Sequence, residues 1–183
     1  MTGLTRLLAF AGNGEPTIHP EFSGIIDDTI AVRNKFAPDT KIGVLSNASV
    51  LRKKSVVTSL KKIDQNVQKL DTGLEEKFKI LNQPKGNLSV EKVVQNLQMF
   101  EGKVIIQILF LRGRYDGQNI DNTSEKELDA WIPLVKLINP EYVMMYTIDR
   151  ETPAAGLEKI HENELMKIAA RIESEGVRTK VYT

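Results

Sequence analysis

The apolar run Leu7-Leu8-Ala9-Phe10-Ala11 stops at Gly12-Asn13-Gly14-Glu15-Pro16. Two glycines leave the backbone bare to a ligand, and the carboxylate of Glu15 can accept hydrogen bonds from an amine. Other polar residues follow later apolar runs: Ser46 and Asn47, Asp71 and Thr72, Gln107 within a run and Arg112 after it, then the 116–122 segment, and last Thr147, Asp149 and Arg150. If each run is a strand of a parallel sheet, all of these residues gather at its carboxyl edge, where α/β proteins bind ligands. Glu15 suits an amine, Arg150 or Arg112 a carboxylate, and Asp71 or Asn47 a ribose. The rim therefore fits a polar small molecule carrying those groups. Taken singly, each of these residues also serves as a helix cap or turn former, and Gln107 can instead pair with a buried backbone group.

Short apolar runs alternate with amphipathic segments along the chain, and that alternation supplies the strands the rim needs. Strands are expected at Leu7 to Ala11, Lys41 to Ser46, Asn66 to Leu70, Val104 to Phe110, Tyr142 to Ile148 and Arg178 to Tyr182. The Val104 to Phe110 run is apolar on both faces except at Gln107, as for a strand between helices and a packed interior. Helical spacing recurs from Phe22 to Phe36, with Pro20 suited to the first turn. It recurs after Ser55, which can cap a helix, around Leu74 to Leu81, after Ser89, and from Leu128 to Ile138, where Ser124 and Glu127 have the spacing of a capping box. The expectation is a single α/β domain over residues 1–183, with about six parallel strands joined by right-handed crossovers in an open sheet or a partial (β/α) barrel. Trp131 falls on an apolar helix face and reads as core.

Composition excludes several classes of function. The 183 residues carry 25 Lys plus Arg against 24 Asp plus Glu, which leaves no electrostatic footprint for nucleic acid or an anionic membrane. Arg52-Lys53-Lys54 reads as solvated helix surface. No stretch reaches the roughly 20 apolar residues of a membrane span and no signal peptide is evident, so the cytoplasm is the expected compartment. Two histidines, His19 and His161, lie too far apart to suggest zinc. With no cysteine there is neither a disulfide nor a thiolate for an iron–sulfur cluster.

The segment FAGNGEPTIHPEF resembles the part of radical S-adenosylmethionine enzymes that carries their GGE motif, in the GNGEP variant of one iron–sulfur oxidoreductase branch. KIGVLSNAS at 41–49, KLDTG at 69–73, ILNQP at 80–84, IIQILFLRG at 105–113, DNTSEKELDAW at 121–131 and YTIDRETPAAGLEKI at 146–160 extend the resemblance over nearly the whole chain. It implies a partial (β/α) barrel with S-adenosylmethionine across the strand ends. Glu15 would bind the methionine amino group, with Asn13 and Gly14 in the neighbouring motif positions. Ser46, Asn47 and Asp71 would contact the ribose or methionine moiety, and Gln107 and Arg150 are candidates by position.

The same resemblance implies a CxxxCxxC motif holding a [4Fe–4S] cluster, which this chain lacks. The chain is therefore expected to be a truncated member that begins at the family's second strand, inactive alone in radical chemistry. Its uncovered Leu7 to Ala11 edge is expected to self-associate, which sedimentation at micromolar concentration would detect. A cluster-free remnant that binds a nucleoside, S-adenosylmethionine or a protein is the alternative. An unrelated small ligand on a shared fold comes third.

Overall fold

The computed structural model describes residues 6–12, 14–115, 117–149 and 156–183. Six strands form one parallel sheet in the order β1 (Leu7–Phe10), β2 (Lys41–Ser46), β3 (Gln65–Lys69), β4 (Ile105–Tyr115), β6 (Tyr142–Thr147) and β8 (Thr179–Tyr182). The expected parallel strands are thus present. Two short ones, β5 (Gln118–Asp121) and β7 (Leu157–Lys159), were not anticipated. Both pair antiparallel with the far end of β4, which runs five residues past Phe110.

Helices α1 (Phe22–Phe36), α2 (Lys54–Leu60), α3 (Glu75–Asn82), α4 (Val90–Gln98), α5 (Glu125–Ile138) and α6 (Glu162–Ser174) make the crossovers. Successive side chains of a strand point to opposite faces. Val44, Ile106, Ile108, Phe110, Val143 and Met145 take the helix side and join one core with Ile26, Leu60, Leu97, Trp131 and Ile172. Trp131 is 1% exposed, and its indole N–H donates to the Leu70 carbonyl at 2.9 Å, which fastens α5 to the end of β3.

The opposite, inner face is not packed as the sequence suggested. Lys69, Gln107, Leu109, Tyr142, Met144 and Tyr146 are only half-buried there, and Lys180 and Tyr182 are exposed. The sheet is a trough and not a filled barrel. β1 is its first strand, with Leu7 and Leu8 exposed.

Two local expectations fail. Ser55 does not cap α2, which begins at Lys54 behind an extended Lys53. Ser124 does occupy the N-cap of α5, yet neither it nor Glu127 forms a capping box. Instead Glu127 is 2% exposed and accepts a hydrogen bond from the Thr72 hydroxyl at 2.7 Å, while its other oxygen is buried with no partner among the described residues.

Burial raises the Glu127 pKa above the ordinary 4.5, so the folded chain keeps this proton to higher pH than the unfolded chain does. Stability then falls as pH rises from about 4.5 through the folded value, because the unfolded state releases the proton first. Urea unfolding of Glu127→Gln should show this fall removed, with the variant at least as stable as the parent at pH 7. A parent and variant with identical pH profiles would contradict the buried-acid reading.

Candidate functional site

Glu15 sits in the loop that leaves β1, just ahead of the turn that leads into α1. Followed by proline, it is held extended at φ −78°, ψ 110°, and caps the 3₁₀ turn Pro16–Ile18. Its carboxylate accepts from the Thr17 N–H at 3.1 Å and from the Thr17 hydroxyl. The second oxygen accepts from the Asn47 N–H at 2.6 Å, so one side chain ties the β1 loop to the end of β2. A carboxylate offers about four acceptor positions, and three donors leave room for one more. A side chain built on Gly12 or Gly14 would meet nothing within 4 Å, so the backbone beside this carboxylate is open.

Ser46 and Asn47 shape the next turn. The buried Ser46 hydroxyl accepts from the Ala48 N–H at 3.2 Å and holds Ala48 at φ 61°. Asn47 is exposed; its carbonyl oxygen accepts from the Ser49 N–H at 3.0 Å, and its amide nitrogen has no partner among the described residues.

Asp71, 5% exposed, is more fully used. One oxygen accepts from the Leu109 N–H at 3.1 Å; the other accepts from the Asn82 amide at 3.1 Å and faces the Lys69 ammonium at 3.2 Å. Below it the buried Asn122 side chain accepts from the Leu111 N–H and donates to the carbonyls of Asp71 and Leu109. These bonds hold the ends of β3 and β4 at a fixed separation. Lys69, Asp71, Leu109, Tyr115 and Leu157 line a cavity of about 150 Å³ on this rim.

Gln107 lies on the inner face, in register with Lys69 on one side and Met144 on the other. Its amide has no hydrogen-bond partner among the described residues, so the buried-backbone role is not the one it plays here. The same face carries Tyr146 stacked on Tyr182, with ring centroids 4.9 Å apart, and Lys180 with its ammonium 4.0 Å from the Tyr142 ring centroid. Burial, followed by the neighbouring Tyr182, raises the pKa of both Tyr142 and Tyr146 above the ordinary 10.0.

Arg112 is spent elsewhere: it pairs with Glu164 and donates to the Thr123 hydroxyl at 2.7 Å, clamping the β4 extension onto α6. Thr147 accepts from the Ile160 N–H at 2.7 Å. Asn13 and Arg150 lie outside the described residues. Glu15, Ser46 and Asn47 thus form one cluster. Asp71 stands on the neighbouring strand, and Gln107 stands one strand further along the inner face.

Sequence reasoning missed Asn82, the three tyrosines and Lys69. The tyrosines carried a signal in the period-two spacing of Tyr142, Met144 and Tyr146, which marks one half-polar strand face. Asn82 carried none, because its partner Asp71 lies eleven residues away across a helix.

No family model matches the chain. It is 26% identical over 171 residues to a protein named GTPase Obg from Brachyspira hyodysenteriae, and 26% identical over 170 residues to a UPF0026 protein from Helicobacter pylori. Each match covers 91% of this chain, but the chain spans only 23% of the first relative and 51% of the second.

Among solved structures it is similar to a domain of pyruvate-formate lyase-activating enzyme from Bacteroides vulgatus, with a TM-score of 0.68 at 15% identity over 96% of this chain and 98% of that one. It is also similar to Streptococcus suis SuiB bound to S-adenosylmethionine, with a TM-score of 0.66 at 14% identity over 97% of this chain and 39% of that one. A radical SAM methyltransferase from Sphaerobacter thermophilus gives 0.71 at 13% identity, over 98% and 51%. The chain has the α/β partial-barrel fold of solved radical S-adenosylmethionine enzymes.

Proposed function

We propose that this chain is the S-adenosylmethionine-binding part of a radical S-adenosylmethionine iron–sulfur oxidoreductase, with the cofactor across the ends of β1 to β4 and the substrate in the trough. One observation carries the reading. Glu15 is fixed between the Pro16–Ile18 turn and the Asn47 N–H, beside bare glycine backbone, with acceptor capacity left for the methionine ammonium. Asn47 offers its free amide to the cofactor's hydroxyls or carboxylate. Asp71 acts by positioning, since its oxygens already hold Leu109, Asn82 and Lys69. Gln107 faces the substrate side, and Asn13, Gly14, Ser46 and Arg150 complete the proposed set.

The residues of this chain fit S-adenosylmethionine and do not fit a cluster. There is no cysteine among the 183 residues, so the thiolates of a [4Fe–4S] centre would have to come from outside this chain, and no redox step is assigned to it. The same absence favours the second reading, a cluster-free module that binds the nucleoside without radical chemistry. Self-association through the open β1 edge belongs to both readings.

Isothermal titration of the chain with S-adenosylmethionine tests the assignment. Saturable binding at one equivalent is the expected result. A folded chain that gives no heat and no saturation would remove the cofactor-binding reading.

A further inference from the structure

Beside the strand ends lies a second, larger concavity of about 710 Å³, bounded by the β2–α2 loop, the α3–α4 connection and one side of α4. Its volume is that of a small-molecule site. Among the described residues the lining carries three cations, Arg52, Lys85 and Lys92, and not one carboxylate. Asn47, Asn82, Gln83, Asn87, Gln95 and Asn96 add side-chain amides to the lining, beside apolar Ile18, Pro84 and Leu88.

A lining of one sign is a local departure in a chain whose 25 basic residues nearly balance its 24 acidic ones. Several cations elsewhere are paired, Arg33 with Asp64, Lys62 with Asp27, and Arg171 with both Glu125 and Asp129, while others such as Lys53, Lys54 and Lys103 stand alone on the surface among the described residues; what sets the cleft apart is that three of them share one concavity. None of the three cleft cations has a carboxylate partner among the described residues. The Lys92 ammonium donates instead to the Asn87 carbonyl at 2.8 Å, which holds it against the cleft wall. Glu15, Asp71 and Glu91 each hydrogen-bond a lining residue but do not themselves line the cleft. In sequence Arg52 belongs to a basic run that nothing extends; the fold brings Lys85 and Lys92 to it, over thirty residues away. All three residues of the run are exposed, as a solvated surface requires, and Arg52 alone also borders the cleft.

We propose that this cleft binds the phosphate groups of a phosphorylated small molecule of about nucleotide size. Cations gathered in one concavity without an anion among the described lining residues give a positive local potential, and ammonium, guanidinium and amide N–H groups are the donors that phosphate oxygens take. The chemistry is opposite to that of the Glu15 cluster, whose carboxylate suits a cation. The cleft abuts the Glu15 cluster through Asn47, but S-adenosylmethionine brings a sulfonium and an ammonium against one carboxylate, so a lining of cations favours a phosphate over it. A long polyanion is disfavoured, because the basic lining ends with the cleft and the chain as a whole is close to neutral.

The test is titration with inorganic pyrophosphate at low ionic strength, using the parent, Arg52→Gln/Lys92→Gln and Lys53→Gln/Lys54→Gln. Both double variants remove two exposed positive charges from the same region, but only the first removes them from the cleft. Circular dichroism confirms that each is folded. Binding by the parent, weakened about tenfold or more in the first variant and nearly unchanged in the second, is expected. Three results would overturn the proposal: no binding by the folded parent, equal weakening in both variants, or a single-stranded oligonucleotide bound in clear preference to pyrophosphate. None depends on whether S-adenosylmethionine binds, so a failure of the cofactor reading would be seen separately.

Discussion

Replacing Glu15 by alanine is expected to abolish detectable S-adenosylmethionine binding, and replacing it by glutamine to weaken binding by about tenfold to a hundredfold in a chain that still folds. The two substitutions separate what the side chain does for the protein from what it does for the ligand. Alanine removes the cap of the Pro16–Ile18 turn and releases the Asn47 N–H at once, so both loops around the site lose their common anchor. The lost cap alone costs about 1 kcal/mol. Glutamine keeps the length and one carbonyl oxygen, enough to retain either the turn or the Asn47 contact, but it removes the charge that an ammonium pairs with. A hydrogen bond to a charged group contributes about 1.5–3 kcal/mol, and that range sets the expected loss of affinity. Titration beside urea unfolding reads both quantities. Unchanged affinity in Glu15→Ala would mean that the carboxylate only braces the loop.

Gly73→Ala is expected to destabilise the chain by about 3 kcal/mol and to lower its melting temperature by roughly 6–12 °C. A Cβ at this position would lie 2.6 Å from the Ala130 carbonyl carbon and 2.7 Å from the Trp131 nitrogen, all backbone of α5. Backbone cannot swing aside as a side-chain tip can. The helix would have to retreat from the β3 turn, straining the Trp131 bond to the Leu70 carbonyl and the Thr72 bond to Glu127. Because Asp71 sits in the same turn, the site would be disturbed with it. Gly24→Ala is the contrasting change: this exposed glycine of α1 has nothing within 4 Å of its would-be Cβ. Higher helix propensity should stabilise that variant by up to about 1 kcal/mol. Thermal unfolding of the pair compares one substitution in two environments; a Gly73→Ala chain that melts with the parent would show that α5 does not rest on this turn.

The framework was legible because parallel α/β architecture imposes periodicities on the chain. α1 spans Phe22–Phe36 as its apolar spacing indicates, Ser89 caps α4 through the Lys92 N–H, and Trp131 is core. β3 shows where periodicity weakens. Its sequence, QNVQK, is polar, and it is a strand because β2 and β4 flank it, with Gln68 donating to Asn66 at 2.6 Å inside the helix layer. β5 and β7 were missed for different reasons. β5 returns along β4 as a hairpin across the Asp116-Gly117 dipeptide, so its signal was in the sequence and was not read. β7 pairs with residues far away in sequence, at Gly113, which has φ 129° and whose would-be Cβ lies against the Gly156 carbonyl.

The candidate site divides in the same way. Positions at strand ends could be read from spacing, and Glu15, Ser46, Asn47 and Asp71 are at strand ends. What each side chain holds could not be read, because partners such as Asp71 and Leu109 are 38 residues apart. Local position misled twice more: by helix spacing Glu127 looked like a cap residue and is a buried acid, and by its place after an apolar run Arg112 looked free for a ligand and is paired with Glu164.

Backbone amide chemical shifts of the nitrogen-15-labelled chain, recorded while S-adenosylmethionine is added, test the location of the site. Saturable shifts at the N–H groups of Thr17 and Asn47, which Glu15 holds, together with those of Gly12, Gly14 and Leu109, are the expected result. Saturable shifts elsewhere with these amides unmoved, or a folded spectrum that does not change at all, would contradict a cofactor site at the ends of β1 to β4.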